Sequence, residues 1–322
     1  MMHGGLSWSH GKPPTIRDFS VNLNPLGVPS FIEELIYEAV KVKAYRFYPD
    51  DYRDLKYKIA EIYNVDPEMI GVFNGASEAI SLLGRGFFVP EPNYQEYYRS
   101  NVYLAEEGEE FRYPLQGDKL IVSHPNNPTG AALKEQEVTL YLEQGKFLVI
   151  DQSFSDISLV PSFVNLVKEF PNLLIVSSFT KSFSVPGLRL GFTIGNESKV
   201  IEKRSIPWRI NSIAYYVFAN LDVREVRSFF EMSRNTLGKI LDNIKRISGI
   251  KFYKSFAPFI LAESSIASNE LNKKLLLKGF YVRDCANFVG LRSTHFRFSL
   301  RPDVNELLEV IDDILRNRNP EM

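Results

Sequence analysis

The sequence predicts an α/β protein, in which a large domain with a mainly parallel wound sheet is joined to a smaller α+β domain. Short apolar runs typical of buried strands alternate with helical patterns from about residue 70 to residue 195. Past Pro207-Trp208 the pattern changes to longer amphipathic helices and a few strands. The 322 residues allow one large domain, predicted over 45–210, and one small domain, predicted over 211–322.

The first 29 residues are rich in Gly, Pro and Asn and predict an extended arm with turns, one of them at Asn24-Pro25. A partial alternation of apolar residues favours an ordered strand here over a disordered tail: Ile16, Phe19, Val21 and Leu23. Ser30 and Glu33 have the spacing of a capping box at a helix start. We expect residues 1–44, the arm and this helix, to join the small domain, because a site between two domains needs both walls.

Apolar runs predict the strands of the large domain: Ile70–Phe73, Gly86–Val89, Lys119–Val122, Phe147–Ile150 and Leu173–Val176. Helical periodicity predicts its helices: Tyr52–Tyr63, a helix near Lys134–Gln144 and one near Ser162–Phe170. The small domain is predicted to contain a helix over Val223–Ile247, strands over Phe259–Ala262 and His295–Leu300, and a final amphipathic helix around Leu307–Leu315.

Polar side chains follow the predicted strands of the large domain, close to the point where each strand ends. They are Ser77, Asn127, Asp151 and Lys181. Sites in α/β folds tend to lie at the carboxyl ends of parallel strands. A lysine alone is weak evidence, since most lysines are solvated surface charges. Four such placements are hard to assign to chance, so the sequence predicts a site at this edge of the sheet.

The segment Ser177–Gly191, SSFTKSFSVPGLRLG, indicates the chemistry. A lysine at a strand end can act as an amine nucleophile that forms a Schiff base with a carbonyl or with pyridoxal phosphate. Arg189 offers a planar guanidinium suited to a phosphate. Residues 74–80 join a strand to a helix start whose N–H groups favour an anion, although an ordinary capped helix is the alternative.

Composition excludes several other classes of function. The formal net charge of −1 indicates neither nucleic-acid nor membrane binding. The single Cys285 excludes an internal disulfide framework, and the four histidines show no metal-ligand spacing. No signal peptide is visible, and no apolar run reaches membrane-spanning length. We therefore expect a soluble cytoplasmic protein without a metal site.

Several motifs together resemble the class I/II aminotransferase family, the fold-type I pyridoxal-phosphate enzymes. They are HGG at 3–5, DFSVNLNPLG at 18–27, EPNYQEYYR at 91–99, HPNNPTG at 124–130, TKSFSVPGLRLG at 180–191, PWRIN at 207–211 and VRDCANFVGL at 282–291. Within the family, the chain is most similar to the threonine-phosphate decarboxylase and histidinol-phosphate aminotransferase branches. The RDC…NF…GL pattern of the last motif favours the decarboxylase branch.

The resemblance implies pyridoxal 5'-phosphate as the cofactor. Lys181 would carry it covalently and then shuttle protons. Asp151 would pair with the pyridine nitrogen, and the alternative is that it only caps a helix or lies in a turn. Asn127 would donate to the phenolic oxygen unless it only forms a turn, and Tyr94 would stack on the ring unless it is a core aromatic. The resemblance assigns the cofactor phosphate to Gly75, Ala76, Ser77, Ser178 and Arg189.

By the same resemblance, the substrate would be held by Arg297, Asn22 and His3, although His3 could equally lie in a frayed terminus. A bidentate guanidinium fits a carboxylate or a phosphate, so Arg297 does not separate these two groups. Arg283 and Arg301 would add positive charge nearby or else be solvated surface residues.

Tyr48, in the stretch YRFYP at residues 45–49, resembles the family tyrosine that reaches the cofactor phosphate of a neighbouring subunit. Its alternative is a packing role at a helix break. The resemblance therefore implies a homodimer whose active sites are shared between subunits.

The chain departs from the family pattern at three positions. Phe154 stands where a tyrosine is usual, so one hydroxyl to the phenolic oxygen is missing; the decarboxylase branch commonly has phenylalanine there. Gln152 replaces the usual acid. Pro258 stands where the family often has an asparagine, so the resemblance does not assign the second contact to the substrate anion that this asparagine would make.

These inferences predict a dimeric enzyme that acts on a small phosphorylated amino acid. The favoured reaction is decarboxylation of threonine phosphate, as in cobalamin synthesis. The alternative is a histidinol-phosphate-type or broader aminotransferase that passes the amino group to 2-oxoglutarate. A non-catalytic binding protein that kept the pocket is a rival that no appended segment supports.

Overall fold

The computed structural model describes residues 4–6 and 8–316. The helices are α1 (Ser30–Lys41), α2 (Arg53–Tyr63), α3 (Gly75–Leu82), α4 (Glu135–Glu143), α5 (Phe179–Ser182), α6 (Ser198–Glu202), α7 (Ser212–Ala219), α8 (Val223–Asp242), α9 (Ser268–Leu277) and α10 (Val304–Arg316). Among the residues described, none of these helices combines the length and apolar character needed to span a membrane.

The strands are β1 (Arg17–Asp18), β2 (Ile70–Phe73), β3 (Phe88–Glu91), β4 (Asn101–Leu104), β5 (Lys119–Ser123), β6 (Phe147–Asp151), β7 (Leu173–Ser178), β8 (Gly191–Ile194), β9 (Lys251–Phe252), β10 (Phe259–Glu263), β11 (Phe280–Tyr281), β12 (Arg283–Asp284) and β13 (His295–Ser299).

The central sheet has seven strands in the order β2-β8-β7-β6-β5-β3-β4. Strand β8 runs antiparallel to both of its neighbours, and the other pairs are parallel. Because β2 and β7 both oppose β8, they run in the same direction. The carboxyl ends of β2, β5, β6 and β7 therefore lie at one edge, and the predicted α/β fold is confirmed.

Both faces of this sheet are covered, which explains why its inner strands are continuous apolar runs. In β6, Leu148 and Ile150 belong to the main core cluster of the protein. Val149, between them, points to the opposite face and belongs to a second cluster with Ala79 and Ile80 of α3. Burial on both faces holds the sheet rigidly and so positions the polar residues that follow its strands.

The small domain is built on an antiparallel sheet of order β12-β13-β10-β9. Its core cluster contains Phe296 and Phe298 of β13. The apolar stripe of α10 packs into the same cluster through Leu307, Leu308 and Ile311. This packing places one wall of the site on a sheet distinct from the central one.

The N-terminal arm lies against the small domain. Strand β1 pairs in parallel with β11, and Phe19 is fully buried in the core cluster of the small domain. Arg17 forms ion pairs with Asp303 at 2.6 Å and Glu306 at 2.7 Å. Helix α1, in contrast, packs Ile32 into the main cluster with the large-domain helices. The division at residues 44 and 210 stays a prediction.

The predicted capping box is wrong. Ser30 is already the first residue of α1, and the preceding Pro29 is in extended conformation, with no side chain capping the helix. The extended residue before the helix is Pro29, with φ −75° and ψ 150°, so the helical conformation starts one residue earlier than the motif suggested.

Two predicted helices are shorter than expected. Instead of a helix near residues 162–170, the chain forms a 3₁₀ turn over Val164–Lys168 between two prolines, where too few hydrogen bonds are available to nucleate an α-helix. Helix α8 ends at Asp242 rather than at Ile247. The N–H of Lys245 instead donates to the side-chain oxygen of Asn305 at 2.9 Å, a contact that only the tertiary structure supplies.

Candidate active site

A pocket lies at the carboxyl-end edge of the central sheet and is closed on the other side by the small domain and the arm. Ten of the residues predicted for the site line it: Asn22, Ala76, Ser77, Tyr94, Asn127, Asp151, Ser178, Lys181, Arg189 and Arg297. Asp151 and Lys181 thus face one cavity, as the predicted chemistry requires. Their roles remain predictions.

Two predicted residues, Gly75 and Tyr48, are not part of the pocket lining, and the pocket does not test a third, His3. Gly75 lies immediately behind Arg189 rather than at the pocket surface. Tyr48 is 76% exposed and lies against Trp208, with ring centroids 4.4 Å apart. His3 falls outside the residues that the structure describes.

Asp151 ends β6 and is buried at the pocket floor. Its Oδ1 accepts hydrogen bonds from the Ser153 N–H at 2.9 Å and the Ser153 hydroxyl at 2.6 Å. Its Oδ2 accepts one from the Tyr97 hydroxyl at 2.9 Å. The pKa of Asp151 is raised above its usual value, because the effect of burial exceeds the lowering by these donors and by the Lys181 charge. The donors stabilise the ionised form, which suits the carboxylate to a cationic ligand group.

Tyr97 is a site residue that the sequence argument missed. It lies in the EPNYQEYYR motif, three residues after Tyr94, and its fully buried ring meets that of Tyr94 edge to face at 5.5 Å. The Tyr94 hydroxyl is 3.3 Å from the Ser77 hydroxyl. The repeated tyrosines of the motif were visible in the sequence, but nothing there showed that one of them holds Asp151.

Lys181 lies on the single-turn helix α5 immediately after β7. The Ser178 hydroxyl caps this helix by accepting the Thr180 N–H at 3.1 Å. Burial, followed by the charges of Arg297 and Arg189, lowers the pKa of Lys181 to about 8. A lysine with this pKa has a larger neutral fraction near pH 7 than an exposed one, so its amine is a better nucleophile.

The start of α3 and Arg189 lie together at the pocket and place several hydrogen-bond donors close to one another. Gly75 has a φ of +76°, and a Cβ there would lie 2.4 Å from Nη2 of Arg189. A Cβ on Gly191 would lie 2.2 Å from the N of Ala76. Both glycines therefore let Arg189 and β8 approach the helix start closely. The helix N–H groups, the Ser77 hydroxyl and the guanidinium together suit a phosphate.

Thr180 is a second residue that the sequence argument missed. Its Oγ1 is buried, and it finds no hydrogen-bond partner among residues 4–6 and 8–316. Thr180 lines the pocket. The Ser178 hydroxyl, in contrast, already donates to the carbonyl of Leu190 at 2.8 Å. A buried hydroxyl without a partner is costly, so Thr180 is a candidate donor to a bound ligand.

Arg297, on β13, occupies the small-domain side of the pocket and is 5% exposed. Its Nη1 donates to the side-chain oxygen of Asn127, and its Nη2 donates to the carbonyl of Ser20 at 3.1 Å. With the Asn22 amide turned so that its oxygen faces the guanidinium, that oxygen accepts from Nε at 3.1 Å. Burial lowers the pKa of Arg297 to about 10, so it remains protonated at neutral pH.

Arg283 also lines the pocket and is 5% exposed. It lies directly opposite Arg297 in the antiparallel pairing of β12 with β13. Its Nη2 donates to the side-chain oxygen of Asn287 at 3.0 Å, and its guanidinium lies 5.3 Å from the ring of Phe288. Like charges at directly opposed positions are unfavourable, and an anion between them would relieve the repulsion. Arg301, in contrast, pairs with Asp303 at 2.7 Å and does not line the pocket.

Phe154 and Gln152, two departures from the family pattern, occupy distinct positions. Phe154 lines the pocket, with the Lys181 Nζ 5.9 Å from its ring centroid and its edge against Phe259. Gln152 is buried, and its side-chain oxygen accepts from the Ser162 hydroxyl at 3.1 Å. At residue 154 an apolar ring therefore replaces a hydroxyl inside the site.

Residues 112–314 match the family model described as "Aminotransferase class I and II". The chain belongs to this family. It is therefore an enzyme, and both the resemblance seen in its motifs and the expected fold class are confirmed.

Two curated proteins that are similar to this chain are named as threonine-phosphate decarboxylases. A protein of Caldanaerobacter subterraneus subsp. tengcongensis, provisionally named a threonine-phosphate decarboxylase, is 33% identical over 87% of this chain and 84% of its own length. A threonine-phosphate decarboxylase of Salmonella typhimurium is 25% identical over 90% of this chain and 88% of its own length.

Among solved structures, the chain is similar to the histidinol-phosphate aminotransferase from Clostridium acetobutylicum. The two share 27% sequence identity, and their superposition has a TM-score of 0.80, covering 94% of this chain and all of the other. Relatives of this family enzyme thus carry both of the activities that its motifs suggested.

Proposed function

We propose that this enzyme binds pyridoxal 5'-phosphate in the pocket and decarboxylates a small amino acid that carries a phosphate, of the threonine-phosphate type. The observation that carries the proposal is the buried pair of Arg283 and Arg297 in the pocket that also contains Lys181 and Asp151. One part of this pocket suits a cofactor, and the other suits a strongly anionic substrate.

The donor set fits pyridoxal phosphate. The Lys181 amine would bind the aldehyde carbon, and the ionised Asp151 would hold the ring nitrogen in its protonated form. The start of α3, Arg189 and the partnerless hydroxyl of Thr180 would hold the phosphate. Bound in this way, the cofactor would supply an electron sink for bond breaking at the substrate α-carbon.

The substrate end favours a molecule with more than one negative charge. A single carboxylate would satisfy one guanidinium, whereas two buried and opposed guanidinium groups favour a phosphate or a phosphate together with a carboxylate. Asn22 and Ser20 of the arm contact Arg297 and close this end of the pocket. These contacts would exclude water and orient the bound anion.

The Asn127 side chain would link the cofactor and substrate parts of the site. Because a guanidinium can only donate, the Asn127 oxygen that accepts from Arg297 leaves the amide NH2 as the donor for a ligand. Asn127 would therefore donate to the cofactor's phenolic oxygen while orienting Arg297. Lys181, once freed by the incoming substrate amine, would hold or deliver the proton at the α-carbon.

Decarboxylation is favoured over amino transfer by the named relatives and by Phe154. The alternative, a histidinol-phosphate-type aminotransferase, is supported by the similarity to the crystal structure of that name. The deciding experiment supplies threonine phosphate with and without 2-oxoglutarate. We expect carbon dioxide without an acceptor, at a rate that Lys181→Ala abolishes. Glutamate formation without carbon dioxide would instead establish the aminotransferase, and neither product would contradict both.

We also propose that the enzyme is a homodimer in which Tyr48 reaches the cofactor phosphate of the other subunit. Tyr48 lies against Trp208, and apolar side chains next to these two residues in the sequence are also more than half exposed: Tyr45, Phe47 and Ile206. Exposed apolar patches of this kind mark association surfaces.

A further inference from the structure

Asn24 connects the N-terminal arm to the lysine segment through almost every polar atom it has. Its N–H donates to the carbonyl of Lys181 at 3.2 Å, and its Nδ2 donates to the carbonyl of Ser182 at 2.8 Å. Its own carbonyl accepts from the Ser184 hydroxyl at 3.3 Å. Asn24 is 4% exposed, so water competes little for these bonds.

The remaining bonds of Asn24 fix its own position. Nδ2 also donates to the hydroxyl of Ser233, on α8, at 2.8 Å. Oδ1 accepts from the N–H of Leu26 at 2.9 Å, which closes the turn that follows. The side chain is therefore held by the turn and by α8 while it holds residues 181–184.

The other end of the same segment contacts the substrate arginine. The Ser20 carbonyl and the Asn22 side chain both accept from Arg297, as described above. Five residues, Ser20–Asn24, thus join Arg297 to the backbone of Lys181, and the Cα atoms at the two ends of such a segment lie at most roughly 14 Å apart. Phe19, buried in the small-domain core, anchors its start.

We propose that Asn24 is a positioning residue that sets Lys181 relative to Arg297 and thereby selects the bond broken at the substrate α-carbon. The inference rests on the proposed function. If Arg297 fixes the substrate anion and Asn24 fixes the lysine backbone, the segment Ser20–Asn24 determines where the amine of Lys181 lies relative to the α-carbon. Neither contact by itself defines this distance.

The two competing reactions differ in the bond that breaks. In decarboxylation the bond from the α-carbon to the carboxylate breaks, carbon dioxide leaves, the cofactor takes up the electron pair, and the α-carbon then receives a proton. In the competing amino transfer the α-carbon loses its proton instead. Lys181 would return that proton to the carbon that was the cofactor's aldehyde, and water would then release the 2-oxo acid and leave the amino group on the cofactor as pyridoxamine phosphate. If Lys181 were displaced, its amine would lie at a different position relative to the α-carbon, and the balance between protonation and deprotonation there would change.

The test compares Asn24→Ala with Ser233→Ala in the cofactor-loaded enzyme. Ser233→Ala removes one acceptor of Nδ2 but leaves all the bonds to residues 181–184, so it is the matched control. For Asn24→Ala we expect kcat for carbon dioxide release to fall by about 10²-fold with KM changed far less. We also expect the variant to form more pyridoxamine phosphate for each molecule of carbon dioxide that it releases. Ser233→Ala should show neither change.

A second readout needs no substrate. The visible absorbance of lysine-bound pyridoxal phosphate changes with protonation at the Lys181 nitrogen, so its pH midpoint reports the surroundings of that nitrogen. Asn24→Ala keeps the backbone bond to Lys181 but removes the Nδ2 bond to the Ser182 carbonyl and the Oδ1 bond that closes the turn. The arm then holds Lys181 less firmly near Arg297 and Arg189, and we expect the midpoint to rise by about half a unit or more. In Ser233→Ala it should stay at the wild-type value.

The outcomes separate this inference from the proposed function. A wild-type protein that shows no lysine-linked absorbance with pyridoxal phosphate refutes the proposed function itself. A wild-type enzyme that decarboxylates, with an Asn24→Ala variant that matches it in product ratio and pH midpoint, refutes only the positioning role. Should Asn24→Ala fail to fold, Asn24→Ser decides the question, because its shorter side chain loses less volume and still cannot span the distance to both Nδ2 acceptors.

Discussion

Arg283 and Arg297 lie directly opposite one another on β12 and β13, and each residue is only 5% exposed to solvent. Like charges at directly opposed positions repel one another, and an anion bound between them would relieve this repulsion.

Arg283→Gln should therefore weaken binding of the phosphorylated substrate. We expect KM to rise roughly 10- to 100-fold, because charged hydrogen bonds contribute about 1.5–3 kcal/mol each, with a smaller change in kcat. Steady-state kinetics would measure both. Arg301→Gln is the control, since Arg301 pairs with Asp303 away from the pocket and should leave KM unaltered. Equal effects of the two variants would count against an anion site at Arg283.

The cofactor-free protein should be destabilised by the charge on Lys181. Its pKa falls from 10.5 in the unfolded chain to about 8 in the folded protein, so the unfolded chain binds the proton more tightly. The free energy of unfolding therefore gains a contribution as the pH rises from about 8 to 10.5, and below about 8 the penalty is constant.

Lys181→Met removes this charge. We expect it to raise the free energy of unfolding at pH 7 by roughly 1–3 kcal/mol and to remove the gain between the two pKa values. Urea unfolding of wild type and variant at several pH values would measure the difference. Lys199→Met, at an exposed lysine paired with Glu68, should alter neither quantity. A variant less stable than wild type at pH 7 would contradict this account.

Thr180→Val should change stability and cofactor binding in opposite directions. The substitution keeps the shape of the side chain and removes a buried hydroxyl that has no partner within the described part of the chain. We expect the cofactor-free protein to gain about 1 kcal/mol in unfolding free energy and the dissociation constant for pyridoxal phosphate to rise. Thermal unfolding and absorbance titration would measure the two effects. Unchanged cofactor affinity would show that the hydroxyl does not bind the ligand.

Mixing two inactive variants tests whether Tyr48 acts across a dimer. Tyr48→Ala lacks the tyrosine, and Lys181→Ala lacks the lysine. In a mixed dimer the site with a native Lys181 would receive a native Tyr48 from the other chain, and random mixing should restore about a quarter of wild-type activity. Size-exclusion chromatography with light scattering would establish the assembly. A monomer, or mixed dimers without recovered activity, would refute the shared site.

Much of the site could be predicted because its residues follow strands whose apolar runs are local features. Asp151 is the last residue of β6, and Lys181 lies in α5 directly after β7. Parallel strands bring their carboxyl ends together at one edge of the sheet, whatever the loops between them do. Asn127 and Ser77 were predicted at the same edge of the sheet, because they also follow predicted strands. Strand β4, Asn101–Leu104, was missed; it is a short strand at the edge of the sheet, and most of its residues are exposed.

Tyr97, Thr180 and Asn24 could not be assigned from the sequence, because their roles depend on partners far along the chain. Tyr97 meets Asp151 across 54 positions, and Asn24 meets Ser182 across 158. A tyrosine, a threonine or an asparagine has many ordinary uses, and only the folded arrangement shows which atoms remain without partners or hold a reactive side chain.

The amino-acid sequence by itself determined the fold class, the family and the lysine and aspartate that meet in the pocket, because apolar periodicity and contiguous motifs are written in neighbouring residues. The tertiary structure decided that Arg283 faces Arg297 and that the arm ties Arg297 to Lys181. Those relationships arise from strand register and from burial, which shield charges and hydrogen bonds from water only after distant segments have packed together.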